Sequence, residues 1–158
     1  MSIRKCTLWR VPAICVLGSL ASYYVTVYFG GHFFTASSVA PDGSIILSAD
    51  PVRSAIWNTA LFLAVVLGGI RFLRGMTRKE IAVSAGLITA LYLAVVLAQL
   101  YFPGLPQFWG FTLSPFQNWT GTFASLFQKL TGNFTFSVIA GNFAPLLFIP
   151  FGRKERSQ

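Results

Sequence analysis

The sequence predicts an all-α integral membrane protein, a four-transmembrane-helix bundle with a short interfacial helix in its third connection. Three observations carry this. Apolar residues make up 54% of the 158 and charged residues only 10%, with a mean hydropathy of +0.65. A soluble domain has about 25% charged residues and needs them to cover its surface. Four apolar runs are long enough to cross the ~30 Å hydrocarbon core at about 1.5 Å per residue. The net charge of +8 is not gathered into the single patch a nucleic-acid partner requires. It is split into short basic clusters between the runs, the pattern that orients a chain in a membrane. The lipid bilayer is the expected environment, and nucleic acid is not an expected partner.

This length predicts a single membrane domain, 1–158, with spans at about 11–29, 55–73, 81–102 and 134–151. The first span, Val11 to Phe29, follows a tail carrying Arg4, Lys5 and Arg10. Ser19-Leu20-Ala21 has the look of a signal cleavage site. The apolar run continues past it through Tyr24-Val25-Thr26-Val27, so the span is read as retained. Gly30-Gly31 is read as its end. Cys6 in the tail and Cys15 in the span are not placed for a structural disulfide. Cys6 is a lipidation candidate in a host with the enzymes, and an inert thiol is the plainer reading.

Residues 32–54 read as a loop. It holds the turn signal Pro41-Asp42-Gly43 and the short β-prone run Ser44-Ile45-Ile46-Leu47. Asp50-Pro51 or Ser54 opens the second span, Ala55 to Leu73, which ends among Arg71, Arg74, Arg78 and Lys79. The third span, Ile81 to Phe102, is entered through Glu80, where an acid suits the helix dipole. It leaves at Pro103-Gly104-Leu105-Pro106, which cannot continue a helix. Trp119, Phe123, Leu126, Phe127 and Leu130 then fall on one helical stripe. With Asn118 as cap and Gly132 as terminator, they predict a helix over about 118–130, lying flat in the interface. The fourth span, Phe134 to Phe151, contains Pro145, whose missing N–H predicts a kink.

Orientation follows from the basic residues. Three lie in the N-terminal tail, four in the 71–80 turn and three in the C-terminal tail, leaving only Arg53 and Lys129 on the other side. Ten of twelve on one side predicts a multi-pass protein of the cell membrane with both termini cytoplasmic. Each span carries small residues at four-residue spacing: Gly18, Ser22 and Thr26; Ala60, Ala64 and Gly68; Gly86, Ala90, Ala94 and Ala98; Ala140 and Ala144. Such rows let helices approach closely, so a compact bundle without a wide pore is expected.

The search for chemistry returns little. No ionisable residue sits mid-span, which counts against a pump, a proton-coupled transporter or an intramembrane acid–base enzyme. Asn58, Thr59, Gln99 and Asn142 read as helix–helix hydrogen-bonding groups. His32, Asp42, Asp50 and Arg53 share the first loop but make too thin a set for metal or acid–base work. No phosphate loop, Cys-x-x-Cys pair or nucleophile motif occurs. No catalytic residue, metal or cofactor is therefore expected, and the reading leans away from an enzyme. Asn118-Trp119-Thr120 and Asn133-Phe134-Thr135 fit the glycosylation pattern, which has meaning only in a eukaryotic host. The stretch from Phe102 to Gly152 is dense in prolines, amides and aromatics. Its Trp109, Trp119, Phe123 and Phe127 are the expected partner surface.

Within that stretch, Thr112-Leu113-Ser114-Pro115-Phe116 and Phe148-Ile149-Pro150-Phe151-Gly152 resemble the bacterial VanZ-like membrane proteins over roughly residues 87–152. Pro115, Phe116, Phe148, Pro150 and Gly152 match the family's pattern, and Asn142 is the nearest counterpart of its helix asparagine. Thr112 departs from the pattern, Asn142 lies two residues early, and the acidic second half of the family has no clear match. Asp50, Asn58-Thr59 and Gly68-Gly69 would serve as that half only in a permuted arrangement. The resemblance implies binding residues at Pro115, Phe116, Asn142, Phe148, Pro150 and Gly152. It also implies a role at the cell envelope, in surface chemistry or glycopeptide-antibiotic tolerance, with a cell-wall precursor as partner. The alternative is a non-enzymatic scaffold or accessory subunit that binds another membrane protein through the aromatic segment.

Overall fold

The computed structural model describes residues 7–39, 41–102 and 106–153, without the side chains of 100, 106–114, 126 and 129. It is mostly helical, at 78%, and four helical segments are long and apolar enough to cross a membrane. The first is one continuous run, Arg10–Phe34: helix α1 (Arg10–Val25), a π-helical turn (Thr26–Gly30) and α2 (Gly31–Phe34). The glycine pair does not end the helix as expected. A Cβ on Gly30 would sit 2.6 Å from the Phe34 ring, so this glycine makes room for a side chain one turn on.

The first loop is mainly a β-hairpin, a small addition to the all-α expectation. Strands β1 (Thr35–Val39) and β2 (Ile45–Ala49) pair antiparallel, with Thr35 opposite Ala49 and Val39 opposite Ile45. The Asp42 carboxylate holds the turn, accepting from the Ser44 amide at 3.0 Å and its hydroxyl at 2.6 Å. Gly43 takes φ +82°, which an L side chain rarely adopts. Asp50 then caps α3 (Pro51–Phe72), accepting from the amides of Val52 and Arg53. At α4 (Arg78–Tyr101), Thr77 and Glu80 form a reciprocal capping box.

Leu8 and Trp9, the α3–α4 turn and Arg153 meet at one end of the bundle. The Ser84 hydroxyl donates to the Leu8 carbonyl, and Trp9 meets Phe72 edge-on at 6.0 Å. Arg153 pairs with the α3–α4 turn: its carbonyl accepts from the Arg78 N–H at 3.2 Å, and its N–H donates to the Met76 carbonyl at 3.0 Å. The hairpin lies at the opposite end, where Trp57 Nε1 donates to Thr26 Oγ1 at 3.1 Å.

The largest correction concerns the third connection. Instead of a short helix flat in the interface, α5 runs Pro106–Thr131, about 39 Å at 1.5 Å per residue. It packs into the bundle against α1, α3 and α6. The Tyr92 hydroxyl donates to the Phe116 carbonyl at 2.9 Å, roughly 13 Å along α4 from Tyr101, so α5 reaches the middle of the bundle. The aromatic stripe was read correctly, but it faces protein rather than lipid. Trp119 and Phe123 stack on Phe62 at 5.8 and 5.3 Å, and Trp119 meets Phe148 at 5.9 Å.

The small-residue rows are corrected in part. Gly18 faces Val65, to which a Cβ would come within 2.6 Å, and Ser22 and Ala144 are buried. Ala64 and Gly68 on α3, and Gly86, Ala90, Ala94 and Ala98 on α4, are exposed. The buried faces carry larger residues instead, Phe62 and Val65 on α3 and Ile81, Ile88 and Tyr92 on α4. A helix that is apolar all round gives no sign of which face its neighbours will take.

Candidate functional site: a polar cleft between three helices

The fourth span breaks where its proline dictates. A proline ring clashes with the carbonyl four residues earlier and offers no N–H. For Pro145 that carbonyl is Gly141's, and α6 (Phe134–Gly141) ends there. The chain resumes as a 3-10 helix, Ala144–Phe151. Asn142 sits at the break. Its backbone N–H turns to Ile139 at 3.2 Å, and its side-chain Nδ2 donates to the Val138 carbonyl at 2.8 Å. That bond satisfies a carbonyl of the kind a helix end leaves orphaned. It also fixes the amide, since the flipped orientation would set two oxygens at that distance. Asn142 Oδ1 is then left buried with no hydrogen-bond partner, on a residue only 3% exposed.

Gly141 lets α5 come close. A Cβ there would stand 2.7 Å from both the Thr120 carbonyl and the Ala124 Cβ. Around this contact α3, α5 and α6 enclose a cleft of about 340 Å³. Asn58 reaches it from α3, Gln117, Asn118 and Thr122 from α5, and Asn142 from α6. The Ser125 hydroxyl on its wall donates back to the Thr122 carbonyl at 2.7 Å. Gly121 also lines it, and a Cβ there would meet nothing within 4 Å. No charged side chain is among the described residues that line the cleft. The site can therefore exchange neutral hydrogen bonds and hold a small group. The described lining residues offer amides and hydroxyls and no titratable side chain.

The residues expected from the VanZ-like resemblance are spread over this region, and most have packing roles. Pro115 is half-buried inside α5, and Phe116 is 38% exposed. Phe148 is fully buried against Gly69, where a Cβ would come within 2.3 Å of its ring. The carbonyls of Pro150 and Gly152 accept from the Arg78 guanidinium at 3.3 and 3.2 Å. Gly152 lies on the Arg78 backbone, 2.8 Å from a would-be Cβ. Of these residues only Asn142 lines the cleft.

The expected partner surface is not a surface. Trp119 is 1% exposed, and Phe123 and Phe127 are half-buried; their stripe packs on Phe62 and Phe148 because α5 lies inside the bundle. The Trp109 side chain lies outside the described residues, as does Cys6. The hairpin-side set is dispersed. Asp42 holds the turn, while Asp50 caps α3 and pairs loosely with Arg53 at 3.7 Å. Hydrogen bonds from Ser44 hold the Asp42 carboxyl below its ordinary pKa, and amides of Arg53 and Val52 do the same for Asp50. Among the described residues no three His, Cys, Asp or Glu gather as a metal set.

Gln117, Gly121, Thr122 and Ser125 are lining residues that the sequence reading does not single out. One available signal was the pairing of that polar run with Asn58 and Asn142 in otherwise apolar spans, since such groups seek one another inside lipid. The chain matches no family model, and no curated protein or solved structure is similar to it.

Proposed function

We propose that the protein is a non-enzymatic, multi-pass protein of the cell membrane that binds a ligand in the cleft between α3, α5 and α6. We read both termini as cytoplasmic, supported by the basic residues Arg78 and Arg153 at one end of the bundle and by the ten-to-two division of charge along the sequence. The observation that carries the binding role is the lining of the cleft, which gathers the amides of Asn58, Gln117, Asn118 and Asn142 around a space of about 340 Å³. The test is site-specific photocrosslinking in living membranes. A crosslinking residue at Val138, on the cleft wall, is compared with one at Leu91, exposed on α4. A discrete adduct at 138 that is missing at 91 supports the reading, and the same phospholipid adducts at both positions overturn it.

A VanZ-like role at the cell envelope, with a cell-wall precursor as partner, is the second reading. One contact favours it: Trp119, three residues beyond the first stretch that carries the resemblance, meets Phe148 of the second at 5.9 Å. Genomic neighbours test it, since wall-synthesis or resistance genes support the envelope role and a multisubunit-complex operon supports an accessory subunit.

A further inference from the structure

Resting on the reading of the cleft as a binding site, we propose that its ligand is an uncharged, hydroxyl-rich group, a single sugar ring or a polyol of that size.

The chemistry of the wall selects it. Asn58, Gln117, Asn118 and Asn142 are amides, and Thr122 and Ser125 add hydroxyls. Amides and hydroxyls both donate and accept, and so do the hydroxyls of a sugar. A phosphate or carboxylate moved into this low-dielectric setting would need a paired cation, and no charged side chain is among the described residues that line the cleft. An ester or ether has only acceptors and cannot donate to the amide and hydroxyl oxygens of the wall, whereas a hydroxyl both donates and accepts. The free volume of about 340 Å³ lies at the small end of ligand pockets, ~300–1,000 Å³. That is room for one ring.

Position fits a headgroup that enters from the bilayer surface. Asn58 lies roughly 10 Å along α3 from Pro51, at the hairpin end of the bundle. Gly121 leaves its part of the cleft open, because a Cβ there meets nothing within 4 Å.

Binding is measured on the full chain in phosphatidylcholine nanodiscs, prepared without sugar-headed detergents, which would compete. The probes are monoglucosyldiacylglycerol in the bilayer, methyl β-glucoside in solution, and phosphatidylglycerol as a hydroxylated but charged control. A bound probe raises the melting temperature in proportion to its occupancy. The glucolipid is expected to stabilise the wild type, and phosphatidylglycerol is not. Asn142→Ser removes one amide from the wall while its hydroxyl can still bond the Val138 carbonyl, and is expected to weaken glucolipid binding about tenfold. Gly121→Leu fills the cleft and is expected to abolish binding without lowering the melting temperature of the unliganded protein. Stabilisation by methyl β-glucoside as well would show that the ring alone is recognised; a response to the glucolipid only would show that the acyl chains contribute. A shift with phosphatidylglycerol equal to that with the glucolipid overturns the proposal, as does a glucolipid response that survives Gly121→Leu. If the sugar probes fail while the Val138 crosslink still yields a discrete adduct, the polyol assignment falls alone. If both fail, the cleft is a water pocket and the binding reading falls with it.

Discussion

Two glycines on neighbouring helices should respond in opposite directions to the same added methyl group. Gly141 on α6 meets α5 so closely that a Cβ would stand 2.7 Å from the Thr120 carbonyl oxygen. A backbone oxygen inside a helix cannot swing aside, so Gly141→Ala must push α5 and α6 apart. Overpacking of that kind costs about 1–3 kcal/mol. Gly121 on α5 faces open space, and there Gly→Ala relieves the helix entropy penalty of glycine, a gain of about 0.5–1 kcal/mol. The two variants should therefore differ by about 1.5–4 kcal/mol, or at least ~3 °C in melting temperature at ~2–4 °C per kcal/mol. Cys15 supplies the reporter. It is fully buried, so in a Cys6→Ser background a fluorogenic maleimide reacts with it only as the bundle opens. A Gly141→Ala protein that melts at or above the wild type would show that the α5–α6 contact, and with it the cleft wall, is not as described.

Four further outcomes follow from the same geometry. Ala85→Leu, at a fully buried position, should cost about 1–3 kcal/mol, while Ala94→Leu on the exposed face of α4 should melt near the wild type. Phe148→Ala should cost about 3–5 kcal/mol by the same thiol assay, since it empties the space between Gly69 and Trp119. The Asp42 and Asp50 carboxyls are held below their ordinary pKa. Their contribution is therefore full above the unfolded-state value and lost as pH falls through the lowered one, so hairpin amide protection should drop in acid, with less pH dependence in Asp42→Asn. Single cysteines at Gly43 and Thr77 should divide in intact cells, with only position 43 labelled by an impermeant reagent; labelling at 77 would sink the proposed orientation.

What was legible in the sequence was what lipid imposes on a chain. The four spans were readable because a ~30 Å core demands long apolar runs, and Asp50, Pro51 and Glu80 marked helix starts by local chemistry alone. The hairpin was half visible in Pro41-Asp42-Gly43 and its β-prone run. Its partner strand Thr35–Val39 was not, because TASSV has no strong alternation. What could not be read was which faces meet. The row Gly86, Ala90, Ala94 and Ala98 looked like an interface and points outward; the stripe Trp119, Phe123 and Phe127 looked like an outer surface and points inward. Both errors share one cause. In an apolar medium the hydrophobic effect no longer distinguishes inside from outside, so periodicity gives a face without its partner.

The cleft depends on local backbone chemistry more than on the residues that resemble a known family. Pro145 removes a donor and crowds the Gly141 carbonyl, so α6 must stop there. Stopping there leaves the Val138 carbonyl for the Asn142 side chain, at 2.8 Å. Once Nδ2 is committed to that bond, Oδ1 has nowhere to turn within the protein. Gly141, at the same break, brings α5 close enough for the Gln117–Ser125 segment to wall the space. Phe148, Pro150 and Gly152 act elsewhere, holding the 3-10 helix against Gly69, Trp119 and Arg78. Loss of the family reading would therefore leave the cleft intact. Repair of the break would remove it: Pro145→Ala restores an N–H that can bond the Gly141 carbonyl and extend α6, which gives the Val138 carbonyl back to the Asn142 backbone and frees its side chain to turn.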